Sequence, residues 1–281
     1  MHLFNKPHFH SFRADANALG GFLREPLQKN IPVLAPVCLP AAGGFATARS
    51  EAFNLDEVVS VSSAYTLVSG RESREEGAIS TLVTAVVEDL NILEVVTARR
   101  IVAQISVTSP LDGGPQRISL GGSRFEELRL AGRDATLAWN SRLLNLTPET
   151  RDAGSPFTWP SFRKSVGDQA DTLVSGFKGH ADKDASEWAK SRHGWKTGDG
   201  SVVCSLVDEV EASAAYSTYG HIVEIPGFGR IFLGELFVTR DSVQLVSIRA
   251  ELGCPITGVV TGPTATGPTP SDSGGHGAGS D

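Results

Sequence analysis

The sequence predicts a mainly β protein, a sandwich-like or continuous antiparallel sheet system with an internal duplication, a long polar insertion and a disordered C-terminal tail. Three observations predict it. From about Asn54 the chain alternates apolar residues with Ser and Thr and is rich in Val; Gly, Pro and Asp clusters punctuate those runs; and two distant stretches resemble one another.

The alternation is clearest in LEVVTARRIVAQISV. Leu93, Val95, Ile101, Ala103, Ile105 and Val107 fall on one face, and Glu94, Arg100, Gln104 and Ser106 on the other. A long strand, or a strand pair bent near Arg99, is expected there. Runs of the same texture are EVVSVSSAYTLVS, AISTLVTAVVE, FEELRLAG with ATLAW, SVVCSLVDEVEA, GRIFLGELFV and VQLVSIRAEL, with turn signals at 111–115, 131–134 and 197–200.

The self-similarity joins DEVVSVSSAYT at 56–66 to DEVEASAAYS at 208–217. The segments that follow also run in parallel, setting Glu94 opposite Glu235 and Arg99 opposite Arg240. A degenerate duplication explains this. Two unrelated β stretches constrained by the same alternation explain it equally well. The expected organisation is an extended N-terminal arm over 1–49, a first β unit over 50–140, a polar insertion or crossover over 141–200, a second β unit over 201–255 and a tail over 256–281. The insertion holds three of the four tryptophans and a short helix around 182–192, and the tail is dominated by Gly, Pro, Ser and Thr.

Composition removes several function classes. A chain of 281 residues with 40% hydrophobic and 20% charged residues is an ordinary globular chain. Its formal charge of −7, without a block of Lys or Arg, argues against nucleic acid as a partner. The most apolar early stretch, IPVLAPVCLPAAGGFATA, carries Pro32, Pro36 and Pro40, so it is no membrane span and no signal core. The expected location is cytoplasmic by default, with export to the surface as the alternative. LPAAG within that stretch has the form of a sortase signal, yet no apolar anchor follows it. Cys38, Cys204 and Cys254 form an odd set without CxxC, and free thiols are expected.

Motifs that could carry chemistry are weak. SDSGG at 271–275 is close to a serine-protease nucleophile segment but sits in the tail, where nothing can hold it against a base. His8 and His10 in PHFH point to one side of an extended segment and could chelate with a third ligand. His180, Asp182 and Asp184, with Glu187 and His193, offer another set of ligand atoms, without HExxH or DxDxDG spacing. The paired acids Asp56/Glu57, Glu126/Glu127 and Asp208/Glu209 each present at most one carboxylate per strand face, so they read as strand starts or solvated edges. In EIPGFGRIFLGELFVTR, Gly227, Gly229 and Gly234 imitate a phosphate loop. The spacing is wrong, and no Walker lysine or kinase VAIK, HRD or DFG segment accompanies it, so a turn feeding a strand is expected.

The order SSAY, a Glu-bearing valine-rich strand and SLGGSRFEELRLAG, carried by 56–66, 119–132 and 208–217, resembles repeated β segments of bacterial choice-of-anchor P proteins. That resemblance covers about half the chain. It implies a β-rich surface or exported protein without established enzymatic activity.

The expected function is therefore a non-catalytic structural or interaction protein that uses exposed β surfaces for self-association or for a protein partner, with no cofactor. One alternative is a metal-assisted hydrolase at the 180–193 loop, with His180, Asp182, Asp184 and His193 as ligands and Glu235 or Glu94 nearby. A second is a small-ligand or carbohydrate module that stacks its ligand on Trp159, Trp188 and Trp195.

Overall fold

The computed structural model describes residues 12–112, 114–147, 156, 159–178, 184–196, 200–239, 242–253 and 255–268. It is mainly β, as expected, and its described strands form two large antiparallel sheets and a small one that pairs Leu137–Trp139 with Val207–Val210.

The first sheet is built on one long hairpin. Strands Ala78–Ile92 and Val96–Pro110 pair from Ala78↔Pro110 to Ile92↔Val96. Val, Ile and Thr dominate them, which suits a pleated, half-buried surface. Ile101, Ala103, Ile105 and Val107 are buried, on the face that alternation assigned to them. The bend expected near Arg99 corresponds to a gap in the register opposite Asp89, whose φ is 49°. Leu93 and Glu94 have positive φ in the turn of the hairpin, so the strand begins only at Val96. Strand Ser63–Ser73 lies along one side of the hairpin, and strand Gly44–Ser50 closes that side. On the other side Arg117–Ser119, Arg124–Glu126 and Arg129–Leu130 pair in turn along Val96–Pro110.

The second sheet is centred on the hairpin of strands Gly229–Val238 and Ser242–Leu252. Residues 258–268 depart from the expected tail. They form strands Gly258–Thr261 and Thr264–Pro268, which pair with Ser242–Leu252 on one side and with the N-terminal strands Leu19–Leu23 and Asp15–Asn17 on the other. Gly, Thr and Pro gave this stretch a tail-like composition, but its neighbours supply the apolar mass that buries Val260 and Ala265. Within the stretch expected as an N-terminal arm, Asp15–Asn17, Leu19–Leu23, Lys29–Leu34 and Val37–Cys38 pair into this sheet, and Gly44–Ser50 pairs into the first. The SDSGG segment lies outside the described residues, as do His8 and His10.

The two sheets pack against each other. One apolar cluster combines Val87 and Ile101 of the first sheet with Leu233, Ile248 and Ala250 of the second. Ser247 Oγ donates to Val102 O across the interface at 3.3 Å. The two DEV segments occupy different settings: Asp56 and Glu57 have positive φ ahead of strand Val59–Val61, whereas Asp208 and Glu209 lie within strand Val207–Val210.

Among the described residues the polar insertion supplies three α-helices. Helix α1 (Ser141–Leu144) is capped by the Asn140 side chain, and α3 (Ala185–Arg192) falls where a short helix was expected. Helix α2 (Pro160–Phe177) was not expected. Pro160 opens it, and Phe162, Val166, Gln169, Leu173 and Phe177 line its buried face at helical spacing. The polar Gln169 within that stripe hid the periodicity. It is nevertheless a structural residue: Ser205 N–H donates to Gln169 Oε1 at 2.7 Å, and Gln169 Nε2 donates to Ser205 O at 3.0 Å. The amide thereby continues the ladder of strand Ser201–Ser205 onto the helix. We expect Gln169→Leu to destabilise the fold by about 1–3 kcal/mol in urea unfolding, since it leaves a buried N–H and C=O unmatched. A loss below roughly 0.5 kcal/mol would mean that these groups are satisfied in another way. Among the described residues no helix is long and apolar enough to cross a membrane.

Candidate functional site

Two features stand out: a buried polar centre under the helical layer, and an open strand edge on the first sheet.

The centre is assembled from three separate segments. His193 is the C-cap residue of α3, and its extended backbone turns the chain away from the helix toward strand Gly194–Lys196. His221 belongs to the two-residue turn between strands Ser217–Tyr219 and Ile222–Ile225, where Tyr219 pairs with Ile222. Gly220 takes φ 59° in that turn, a conformation that glycine reaches without a Cβ penalty. Glu235 lies on Gly229–Val238, at the point where that strand changes its neighbour from Ile222–Ile225 to Ser201–Ser205.

All three side chains are buried, at 6%, 1% and 2% exposure respectively. One ligand atom from each lies within 4.8 Å of the others. The imidazoles meet edge to face, with centroids 4.5 Å apart and planes at 75°. Neither ring nitrogen of His221 has a hydrogen-bond partner among the described residues. Burial, then the neighbouring His193 and Arg249 charges, hold its pKa well below the ordinary histidine value, so the ring is neutral.

Arg249 fixes the carboxylate. Its Nε and Nη2 each donate to a different oxygen of Glu235 at 2.7 Å, while Nη1 bonds Glu251. Burial works to lower the guanidinium pKa, but the bonds and charges of Glu235 and Glu251 outweigh it and raise it. The guanidinium carbon also sits 3.7 Å from the Phe232 ring centroid. Leu173, Phe177, Ala189, Ile222 and Phe232 form an apolar cluster beside the centre, with Trp188 against it. Two imidazoles and an oriented carboxylate are a donor set suited to a divalent transition metal.

A cleft of about 460 Å³ lies on the other side of α2. Gly220, next to His221, is among its lining residues. Its polar groups are largely engaged with each other: Asp208 Oδ1 accepts from Asn140 Nδ2 at 2.8 Å and from Gln169 Nε2 at 3.0 Å.

Of the ligand set expected around the 180–193 loop, His193 enters the buried centre. Asp184 is exposed ahead of α3, and His180 and Asp182 lie outside the described residues. Of the two acids expected nearby, Glu235 is in the centre, whereas Glu94 is exposed in the turn of the first sheet's hairpin. His221 and Arg249 were not singled out from sequence. The signal was slight: a histidine after Tyr-Gly at the start of a strand, and an arginine between Ile248 and Ala250 on a largely buried strand. Glu126 and Glu127 behave as edge groups, whereas Asp208 is engaged by Asn140 and Gln169. Arg99 bonds both Glu126, at 2.6 Å, and Glu127, at 2.8 Å. Strict alternation would separate those two carboxylates, but Glu127 has φ 51° and rejoins its neighbour. The tryptophans are packing groups where described: Trp159 is buried, and Trp188 lies against Phe177 and Phe232 with Arg230 over its ring. Cys38 and Cys204 are free thiols, as expected.

The open edge is strand Gly44–Ser50. It pairs with Ser63–Ser73 on one side and with no strand on the other among the described residues. Ala46 and Ala48 pack inward, while Phe45, Thr47 and Arg49 face out. Phe45 is 62% exposed.

No curated protein and no solved structure matches this chain. One family model does, described as a domain of unknown function, over residues 10–239. That span takes in most of both sheets, the open edge, and His193, His221 and Glu235, and it leaves Arg249 outside. The chain belongs to the DUF8256 family.

Proposed function

We propose that this chain is a non-catalytic structural or interaction protein that associates through the free edge of strand Gly44–Ser50, with a second copy of itself as the partner. The exposed, unguarded edge carries this reading. Natural proteins protect edge strands with Pro, Lys, charge or brevity. Other free edges among the described residues follow that practice. Lys29–Leu34 contains Lys29 and Pro32, and Phe53–Leu55, Arg133–Asp134 and Gly194–Lys196 have two or three residues each. Gly44–Ser50 has seven residues, a bare Phe45 and a single charge, Arg49.

The edge is also self-complementary. In an antiparallel pairing about Thr47, Phe45 of each copy stands opposite Arg49 of the other, giving two cross-strand aromatic–guanidinium contacts. The buried polar centre does not favour the hydrolase reading, because a catalytic metal keeps a position open to substrate and all three ligand candidates here are buried. The seating of Trp159 and Trp188 likewise favours packing over carbohydrate stacking.

Sedimentation velocity tests the association. The wild type is expected to dimerise with rising concentration. Phe45→Arg sets like charges opposite each other twice and is expected to weaken the dimer by roughly tenfold or more. Adding Arg49→Glu to Phe45→Arg should restore it. A wild type that stays monomeric at every concentration, or a dimer indifferent to Phe45→Arg, sinks the proposal.

A further inference from the structure

We propose that His193, His221 and Glu235 bind one divalent transition metal ion, zinc by donor type, and that the ion fastens α3 and the Gly220–His221 turn to the second sheet. This is independent of the strand-edge association. Three observations carry it.

First, the donors converge. Residues 193, 221 and 235 come from a helix end, a hairpin turn and a central strand, yet their ligand atoms lie within 4.8 Å of one another. Donors around a tetrahedral zinc at about 2.0–2.1 Å stand roughly 3.3 Å apart. That leaves at most about 1.5 Å to close between any two donors.

Second, His221 has both ring nitrogens buried without a hydrogen bond among the described residues. Buried polar atoms almost always have partners, and each orphan costs of the order of 1–3 kcal/mol. A metal ion would occupy one nitrogen's lone pair. A solely structural histidine gains nothing from this placement over a phenylalanine.

Third, the carboxylate is already oriented. Arg249 holds both Glu235 oxygens at 2.7 Å, which is the arrangement of an outer partner that fixes a metal-ligating carboxylate. Each oxygen keeps a second lone pair for a metal. The competing account is a metal-free core network in which Glu235 only neutralises Arg249 and the histidines merely stack.

The test uses the untagged full-length chain, purified without chelators and then loaded with zinc or cobalt(II). Elemental analysis is expected to find one ion per chain after dialysis. Cobalt(II) should show the intense visible d–d absorption of a low-symmetry site. His221→Asn and His193→Asn are each expected to reduce bound metal to roughly a tenth or less, and Arg249→Lys to weaken affinity about 10–100-fold. A His8→Ala/His10→Ala/His180→Ala variant should retain the ion. Should a histidine variant fail to fold, the wild-type cobalt spectrum together with the triple-variant control still decides the matter. Absence of bound metal in the loaded wild type overturns the proposal, as does its loss in the triple variant with retention in His221→Asn.

Discussion

Replacing Arg249 by methionine is expected to lower the unfolding free energy by about 3–5 kcal/mol, read as a shift of the urea midpoint at unchanged slope. The substitution keeps much of the volume and removes only the guanidinium. It strands Glu235, whose side chain is 3% exposed, buried beside His193 and His221 without a fixed counter-charge. A buried carboxylate without its partner carries an uncompensated desolvation cost, and it also loses two bonds of 2.7 Å. The double variant Arg249→Met/Glu235→Leu should recover much of that loss, because removing both charges abolishes the desolvation cost along with the attraction. If the single variant loses less than about 1 kcal/mol, Glu235 is relieved by protonation or by water, and the centre is far softer than its bonding indicates.

The sheets were legible in the sequence because period-two burial writes itself directly into residue order. Strand Ser63–Ser73 alternates between half-buried and buried for eight residues, and Ile101, Ala103, Ile105 and Val107 could be assigned to one face without knowing what they pack on. Two elements escaped for opposite reasons. Strands Gly258–Thr261 and Thr264–Pro268 hold little apolar mass of their own, and their burial is supplied by Leu19–Leu23 and Asp15–Asn17 from the other end of the chain. No local window contains that information. Helix α2 was hidden by Gln169, a polar residue on a buried face that is satisfied by the backbone of Ser205, 36 positions away. The buried centre was half legible. His193, inside the long insertion, and Glu235, beyond it, could be suspected as chemistry-bearing residues. Their meeting with His221 depends on a turn that places a histidine ring under a helix end, and that is a property of the packed sheet and not of any motif.

Gly229→Ala is expected to cost about 4 kcal/mol, whereas Gly227→Ala two residues earlier should cost only about 1–2 kcal/mol. Both glycines belong to the GFG segment that imitates a phosphate loop, and both have positive φ, 75° at Gly227 and 133° at Gly229. Their surroundings differ. A Cβ at Gly227 meets nothing within 4 Å, so the change carries only the left-handed backbone penalty. A Cβ at Gly229 lies 2.0 Å from the carbonyl oxygen of Glu251, in the paired strand, and 2.9 Å from the nitrogen of Gly253, just past its end. The strand cannot yield without opening the hairpin register at Gly229↔Leu252, and this hairpin also carries Glu235 and Arg249. Thermal or urea unfolding of the two variants measures the contrast. Equal, small losses at both positions would show that the turn tolerates side chains generally, leaving the close approach of the two strands without energetic weight. A large loss confined to Gly229 would identify the glycine as a packing requirement of the β layer, which is what its contact with the opposite backbone implies.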